Sequence, residues 1–128
     1  MGQQQLLLLV LSAIIVGISI VIGINMFSSG AVQANQDAVA QDCWLIAARA
    51  QEWYRKAENL GGGGRTFDGL DDVTMLNIAE TNPNVSEIFA LTPSDQTLEI
   101  VGTGIEGGPL TVTVIVTPDS IRSTDFTP

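Results

Sequence analysis

An uncharged apolar run from Leu6 to Phe27 is the feature that most constrains how this chain folds. Its twenty-two residues, LLLLVLSAIIVGISIVIGINMF, include small residues and a single Asn but no charged side chain. As a helix with a rise of about 1.5 Å per residue, the run is roughly 33 Å long, which is enough to cross a hydrocarbon core of about 30 Å. The run therefore predicts a membrane-crossing helix in front of a small domain.

The charge of the chain lies entirely behind this run. No charged residue precedes Asp37, so the fourteen carboxylates, the five basic residues and the whole net charge of -9 belong to the remainder. A body with this charge repels nucleic acid and anionic lipid headgroups, which argues against nucleic acid as a partner. About a hundred residues outside the run suffice for one small domain.

The pattern becomes periodic between Ala31 and Leu60, where apolar residues recur at spacings of three, four and seven and predict an amphipathic helix. No proline occurs before Pro83, so we predict one continuous helix from about residue 3 to about residue 59. A bend or loosened turn is expected at 28–30, and the glycines at 61–64 are expected to end the helix. The stripe consists of Val32, Val39, Cys43, Ile46, Ala50, Trp53 and Ala57.

Beyond residue 86 the apolar period drops to two. Alternate residues from Leu110 to Val116 are apolar, which is typical of a half-buried strand. Two further strands are predicted over 88–92 and 97–102, while 73–78 fits either a short helix or a strand. Because a few strands need cover on one face, the amphipathic helix is expected to pack on them.

The predicted fold is α+β, with one long N-terminal helix packed on a three- to four-stranded antiparallel β-meander. Its apolar half, residues 1–30, is predicted to be a membrane anchor or filament core. Residues 31–128 are predicted to form a small α+β head that includes the distal half of the helix.

The residue inventory argues against catalysis. The chain has no His for general base chemistry or zinc binding, and its single cysteine, Cys43, lies within the apolar stripe, where we predict a buried, inert thiol. One cysteine also excludes an intramolecular disulfide, and the haem attachment motif Cys-x-x-Cys-His is absent. We therefore predict a protein that is not an enzyme and holds no cofactor.

Two further motifs have both a functional and a plain structural interpretation. Asp68, Asp71 and Asp72 are candidate calcium ligands because calcium takes carboxylate oxygens from flexible loops, but their spacing fits no EF-hand and also suits a solvated turn. Asn84, Val85 and Ser86 form an Asn-x-Ser triplet, which makes Asn84 a candidate glycosylation site.

Small residues in the apolar run fall on two faces of the predicted helix. At 100° per residue, Ser12, Ser19 and Gly23 cluster on one face, and Ala13 and Gly17 on a second face about 120° away. Small residues allow helices to approach closely, and two such faces suit a helix packed inside a bundle. Gly and Ser are also simply common in membrane helices, and this alternative stays open.

The short polar N-terminus, the uncharged run, the continuous amphipathic helix and the β-meander together resemble a type IV pilin or pseudopilin. The resemblance covers the whole chain as architecture and residues 1–27 as sequence pattern. It implies a precursor in the inner membrane, a leader removed by a prepilin peptidase, an N-methylated first residue, and apolar half-helices that form the core of an extracellular filament. The partners implied are further copies of the chain, the inner membrane and the pilus assembly machinery.

The chain departs from the family pattern at Gln5. If Met1 is the first mature residue, Gln5 occupies the place of the glutamate that pairs with a neighbour's N-terminal amine. A neutral amide hydrogen bonds without the cost of burying an ion, but it cannot neutralise an amine. Gln3, Gln4 and Gln5 are expected to form an amide network between subunits instead. The family's proline in the apolar run and its C-terminal disulfide loop are also absent.

The resulting hypothesis is a structural subunit of an extracellular pilus-like filament that serves surface adhesion or motility. Two alternatives remain open at this point. One is a pseudopilin of a secretion system, and the other is a single-span membrane-anchored binding domain. Either a basic leader has been removed in front of Met1, or the chain is as translated and stays anchored, because no basic region precedes the apolar run.

Overall fold

The computed structural model describes residues 2–106 and 110–127, without the side chains of residues 123 and 124, and begins with one long helix. This helix, α1, runs over Gly2–Arg55, and its fifty-four residues correspond to roughly 80 Å at the standard rise. It continues as regular α-helix through residues 28–30, where a bend or loosened turn was expected. It ends four residues before the predicted boundary and is followed by a 3-10 helix over Glu58–Leu60.

The glycine run was expected to end the helix, but the helix ends at Arg55, ahead of the glycines, and the glycines fold back onto its last turn. The backbone N–H of Gly63 donates to the carbonyl of Trp53 at 2.9 Å, and that of Arg65 donates to the carbonyl of Tyr54 at 2.8 Å. These bonds satisfy carbonyls that have no partner within the helix. A Cβ on Gly63 would overlap the indole ring of Trp53 and the carbonyl oxygen of Thr66, so this close return of the backbone requires glycine.

The segment between the glycines and the sheet contains a second 3-10 helix, Val73–Leu76, where the sequence left helix and strand open. Asp72 begins it, because its carboxylate accepts a hydrogen bond from the backbone N–H of Thr74 at 3.0 Å. Asn77 ends it in the left-handed region, with φ of 59°. Local side-chain capping therefore decides a segment whose apolar pattern is ambiguous.

Four antiparallel strands follow in a meander: β1 (Ala90–Pro93), β2 (Leu98–Thr103), β3 (Thr111–Val116) and β4 (Ile121–Thr127). The first three lie within two residues of the predicted bounds, and β4 makes the sheet four-stranded. Leu98 pairs with Val116 and Ile100 with Val114, so apolar side chains of β2 and β3 share one face. The two central strands thus present a continuous apolar surface to the helix.

The distal half of α1 covers this apolar face of the sheet. Asn35 is the first buried residue of the helix and Tyr54 the last, and the ring of Tyr54 lies 4.8 Å from that of Phe67. The architecture is α+β, as the sequence predicted. The core consists of Val39, Cys43, Ile46, Ala47, Ala50, Trp53, Tyr54, Phe67, Leu70, Val73, Leu76, Val85, Phe89, Leu98, Ile100, Val112, Val114 and Val116.

Candidate functional site

The apolar half of α1 is the candidate functional site, because nothing in the described chain covers it. Between Leu6 and Phe27 the large apolar side chains range from 52% exposed at Ile22 to 80% at Phe27, whereas Val39 on the same helix is fully buried. Soluble monomers rarely expose apolar patches of this extent, so the segment requires a lipid or protein partner.

Within the described residues, α1 is the one helix long and apolar enough to cross a membrane by length and composition. Its serines suit that environment: the hydroxyls of Ser12 and Ser19 donate to the carbonyls of Leu8 and Ile15, each at 2.8 Å. A hydroxyl that is satisfied within its own helix adds little cost in hydrocarbon. The surface of the segment is therefore effectively apolar at both serines.

The structure places the two small-residue faces differently with respect to the head. Eighteen residues make about five helical turns, so Gly23 aligns with Gln41, which is exposed on the side away from the sheet. By the same step, Gly17 aligns with Asn35, which is buried against the head. A Cβ at Gly17 or Gly23 would meet nothing within 4 Å. Another helix can therefore approach closely both on the side opposite the head and on the side that carries the head.

The other small residues of the apolar run also fall on these two sides of the helix. Ser19 aligns with exposed Asp37 and Ser12 lies nearby on that side, whereas Ala13 lies near Gly17 on the side of the head. Gln3, Gln4 and Gln5 are exposed in the first turns of α1, at the end of the molecule farthest from the sheet. The amide network expected of them needs a second copy, and it stays a prediction.

The three aspartates lie in the loop that precedes and begins the second 3-10 helix. Asp72 uses its carboxylate to cap the 3-10 helix, as described above, while Asp68 and Asp71 are exposed. Among the described residues, no group of three or more His, Cys, Asp or Glu side chains is arranged to hold a metal ion. Calcium binding at this loop stays a prediction, and a solvated acidic turn stays the alternative.

Asn84 is half-buried and its amide nitrogen is engaged. Nδ2, the atom that N-glycosylation modifies, donates to the carboxylate of Asp42 at 3.3 Å, and Asn82 donates to the same oxygen at 2.7 Å. A glycan at Asn84 would have to displace the first of these bonds. Glycosylation stays a prediction, and the structure gives Asn84 a role in holding its loop on the helix.

Polar residues of α1 tie loops to the helix, a role that was not predicted from the sequence. Asn35 donates to the carbonyl of Asn84 at 2.8 Å and accepts from the backbone N–H of Ile105 at 3.0 Å. Farther along, Gln51 donates to the carbonyl of Thr117 at 3.0 Å, in the turn after β3. The available sequence signal was a polar residue at each edge of the apolar stripe, but the partners lie up to seventy-one residues away.

Cys43 is fully buried, as predicted, and its Sγ faces Gly102 of β2. Burial raises the pKa of its thiol from 9.0 to about 12, and the neighbouring charge of Asp42 adds to this effect. A thiol in this state is protonated at neutral pH and unreactive. It therefore contributes to packing and offers no nucleophile.

The geometry defines a class of protein: an acidic α+β head carried on one continuous helix. The first half of that helix contains an exposed apolar segment, residues 6–27, which we call the rod. No protein-family model, curated protein or solved structure matches the chain.

Proposed function

We propose that this protein is a structural subunit of an extracellular, pilus-like filament that polymerises through residues 6–27 and serves surface adhesion or motility. The observation that carries the proposal is the uncovered apolar rod, continuous with the helix that organises the head. Removing apolar surface from water contributes about 25 cal/mol per Å², so an exposed rod of this length drives either membrane insertion or self-association.

The two small-residue faces favour self-association in addition to insertion. A rod that only crosses a lipid bilayer needs no site for close helix contact, whereas a rod inside a polymer meets neighbours on several sides. Gly17 lies on the side of the head and Gly23 opposite it, so helices can approach from both directions. The same segment serves as an inner-membrane anchor of the precursor and later as the polymer core.

The charge distribution fits a rod inside and a head outside. The rod carries no charge, whereas the head carries the entire net charge of -9 and presents it to water. Mutual repulsion between heads is tolerable at the outside of a filament, because salt screens exposed charges beyond about 8–10 Å. No metal, cofactor or enzymatic activity enters this proposal.

The decisive experiment is negative-stain microscopy and immunoblotting of material sheared from cells that express the chain. We expect filaments that contain the protein, and an intact mass that includes an N-terminal methyl group, about 14 Da. Ile18→Asp is the disruptive variant, because a carboxylate at the centre of a membrane helix costs about 3 kcal/mol. Ile18→Leu is the matched control and should assemble normally.

A membrane-anchored binding domain is the alternative to which the exposed rod also conforms. In that case the chain stays in the carbonate-washed membrane pellet, and shearing releases neither protein nor filaments. That result would overturn the filament proposal and leave the membrane span intact. A pseudopilin of a secretion system would instead give short periplasmic assemblies.

A further inference from the structure

The sheet has two edges of unequal character in the described chain, β1 and β4. β1 has four residues and ends in Pro93, which lacks an N–H donor. β4 has seven residues and contains no proline. An edge strand offers unpaired N–H and C=O groups to another strand, and a short, proline-containing edge is poorly suited to such pairing. β4 is therefore the edge on which strand addition is feasible.

A bulge in β4 puts the two charged residues of the strand on the same face. The register shifts between Thr113, which pairs with Asp125, and Val114, which pairs with Ser123, so residue 124 is extra. Residues three apart normally lie on opposite faces of a strand, but the extra residue puts Arg122 and Asp125 on the same face. This is the outer face, away from α1.

The apolar residues at the two ends of β4 share the inner face for the same reason. Ile121 pairs with Val116 and Phe126 with Val112, and both of these β3 residues are buried under the helix. Ile121 is nevertheless only half-buried, and Phe126 is 49% exposed. Apolar surface thus remains uncovered at each end of the edge strand.

This arrangement is complementary to itself. When two β4 edges meet antiparallel about a two-fold axis between residues 123 and 124, Arg122 lies opposite Asp125 of the second copy, and Ile121 lies opposite Phe126. Each pair occurs twice by symmetry. Opposite charges and apolar pairs directly across strands are stabilising. Without the bulge, this register would put the members of each pair on different faces.

Arg122 places a positive charge on the edge strand of an acidic head. Arg122 is the single basic residue after Arg65 in a chain of net charge -9, and it is exposed on the edge strand three residues before an exposed carboxylate. Two acidic heads repel each other, so a contact between them needs local charge complementarity. The edge provides that complementarity to a second copy of this chain.

We propose that two heads associate through their β4 edges to form a continuous eight-stranded sheet, held by reciprocal Arg122–Asp125 and Ile121–Phe126 pairs. A two-fold axis perpendicular to the sheet reverses every direction in its plane, so the two α1 helices run antiparallel. The contact therefore joins molecules on different filaments or on facing membranes, and not neighbours within one polymer. The proposal is independent of the filament, because the head could associate in this way from a membrane anchor as well.

Cysteine cross-linking of the full chain in detergent micelles tests this register. Arg122→Cys and Asp125→Cys are purified separately and then mixed under mild oxidation. A disulfide needs Cα atoms about 4.4–6.8 Å apart, which opposite residues satisfy, whereas two copies of the same variant place their cysteines about 10 Å apart along the strands. We expect cross-linked dimer in the mixture and little in either variant alone.

Glu99→Cys, exposed on the outer face of β2, is the matched control and should not cross-link with Asp125→Cys. Buried Cys43 does not compete. No dimer in the mixture, or equal dimer in every sample, would overturn the proposal. The bulge and charges would then serve only to keep the edge unpaired, which is a common protective device.

Charge exchange provides a second, independent readout by sedimentation of the full chain. Arg122→Asp and Asp125→Arg should each weaken dimerisation about tenfold or more, because like charges then face each other twice. The double variant restores both pairs with reversed polarity, so dimerisation should recover. Failure of the double variant to recover, while its thermal unfolding remains normal, would contradict the pairing.

Discussion

The side-chain oxygen of Asn35 accepts a hydrogen bond from the backbone N–H of Ile105 at 3.0 Å, across seventy residues of chain. The amide nitrogen of the same side chain donates to the carbonyl of Asn84 at 2.8 Å. Asn35 is also the first buried residue of α1. One side chain therefore holds two loops on the helix at the point where the exposed rod becomes part of the head.

We predict that Asn35→Ala lowers the free energy of unfolding by about 1–3 kcal/mol, because it removes an acceptor and a donor at a buried position. Gln33→Ala, on the exposed side of the same turn, should change it by less than about 0.5 kcal/mol. Urea unfolding of the full chain in detergent, followed by tryptophan fluorescence, measures both. Equal effects of the two variants would contradict the tethering role.

Gly104 should be coupled to Asn35, because a Cβ on this glycine would overlap the side-chain oxygen of Asn35. We expect Gly104→Ala to be destabilising in the natural chain and much less so when Asn35 is already Ala. The difference, obtained from a double-mutant cycle, should be about 0.5–3 kcal/mol. Additive effects would show that the two residues act separately.

Gly63 in the glycine run and Gly30 in α1 allow a matched comparison of two glycine-to-alanine variants. Gly63→Ala should destabilise the head by about 1–3 kcal/mol, because the added methyl overlaps the ring of Trp53. Gly30→Ala, in the helix with no atom near its Cβ position, should instead stabilise α1 by up to about 1 kcal/mol. Thermal unfolding by circular dichroism compares them, and a stabilising Gly63→Ala would contradict the close return of this loop.

The thiol of Cys43 makes stability depend on alkaline pH. Its pKa rises from 9.0 to about 12 on folding, so the stabilising contribution is complete below pH 9 and is lost between pH 9 and pH 12. Relative to Cys43→Ala, the free energy of unfolding of the natural chain should fall by about 1.4 kcal/mol per pH unit between pH 9 and pH 12. Urea unfolding at pH 8 and pH 10.5 measures the free energy of unfolding of both chains. The natural chain should lose more stability than Cys43→Ala between these two pH values, and an unchanged difference would contradict the prediction.

The faces of the rod are tested by bulky apolar substitution. If the chain forms the proposed filament, Gly23→Leu fills the face opposite the head and should lower the yield of sheared filaments several-fold, because helices can no longer approach closely there. Membrane integration of the precursor should be unchanged, since leucine is apolar. Ile22→Leu is the neutral control. Normal filament yield from Gly23→Leu would exclude this face from the polymer contact.

The long helix and the first three strands could be predicted because each is encoded by the spacing of residues close in sequence. The apolar stripe from Val39 to Trp53 and the alternation from Leu110 to Val116 both emerged as buried surfaces. The burial of Cys43 followed from its place in the stripe. β4 was not predicted as a distinct strand, because its bulge breaks the alternation by which strands are identified.

The sequence by itself determined that a charge-free apolar rod precedes an acidic α+β head, because hydropathy and periodicity are properties of neighbouring residues. Only the tertiary structure decided that Asn35 holds the loops containing Asn84 and Ile105, that the glycines fold back on Trp53, and that Arg122 and Asp125 share a face. These relationships depend on strand register and on contacts between distant segments, which exist only once the chain has closed around its core.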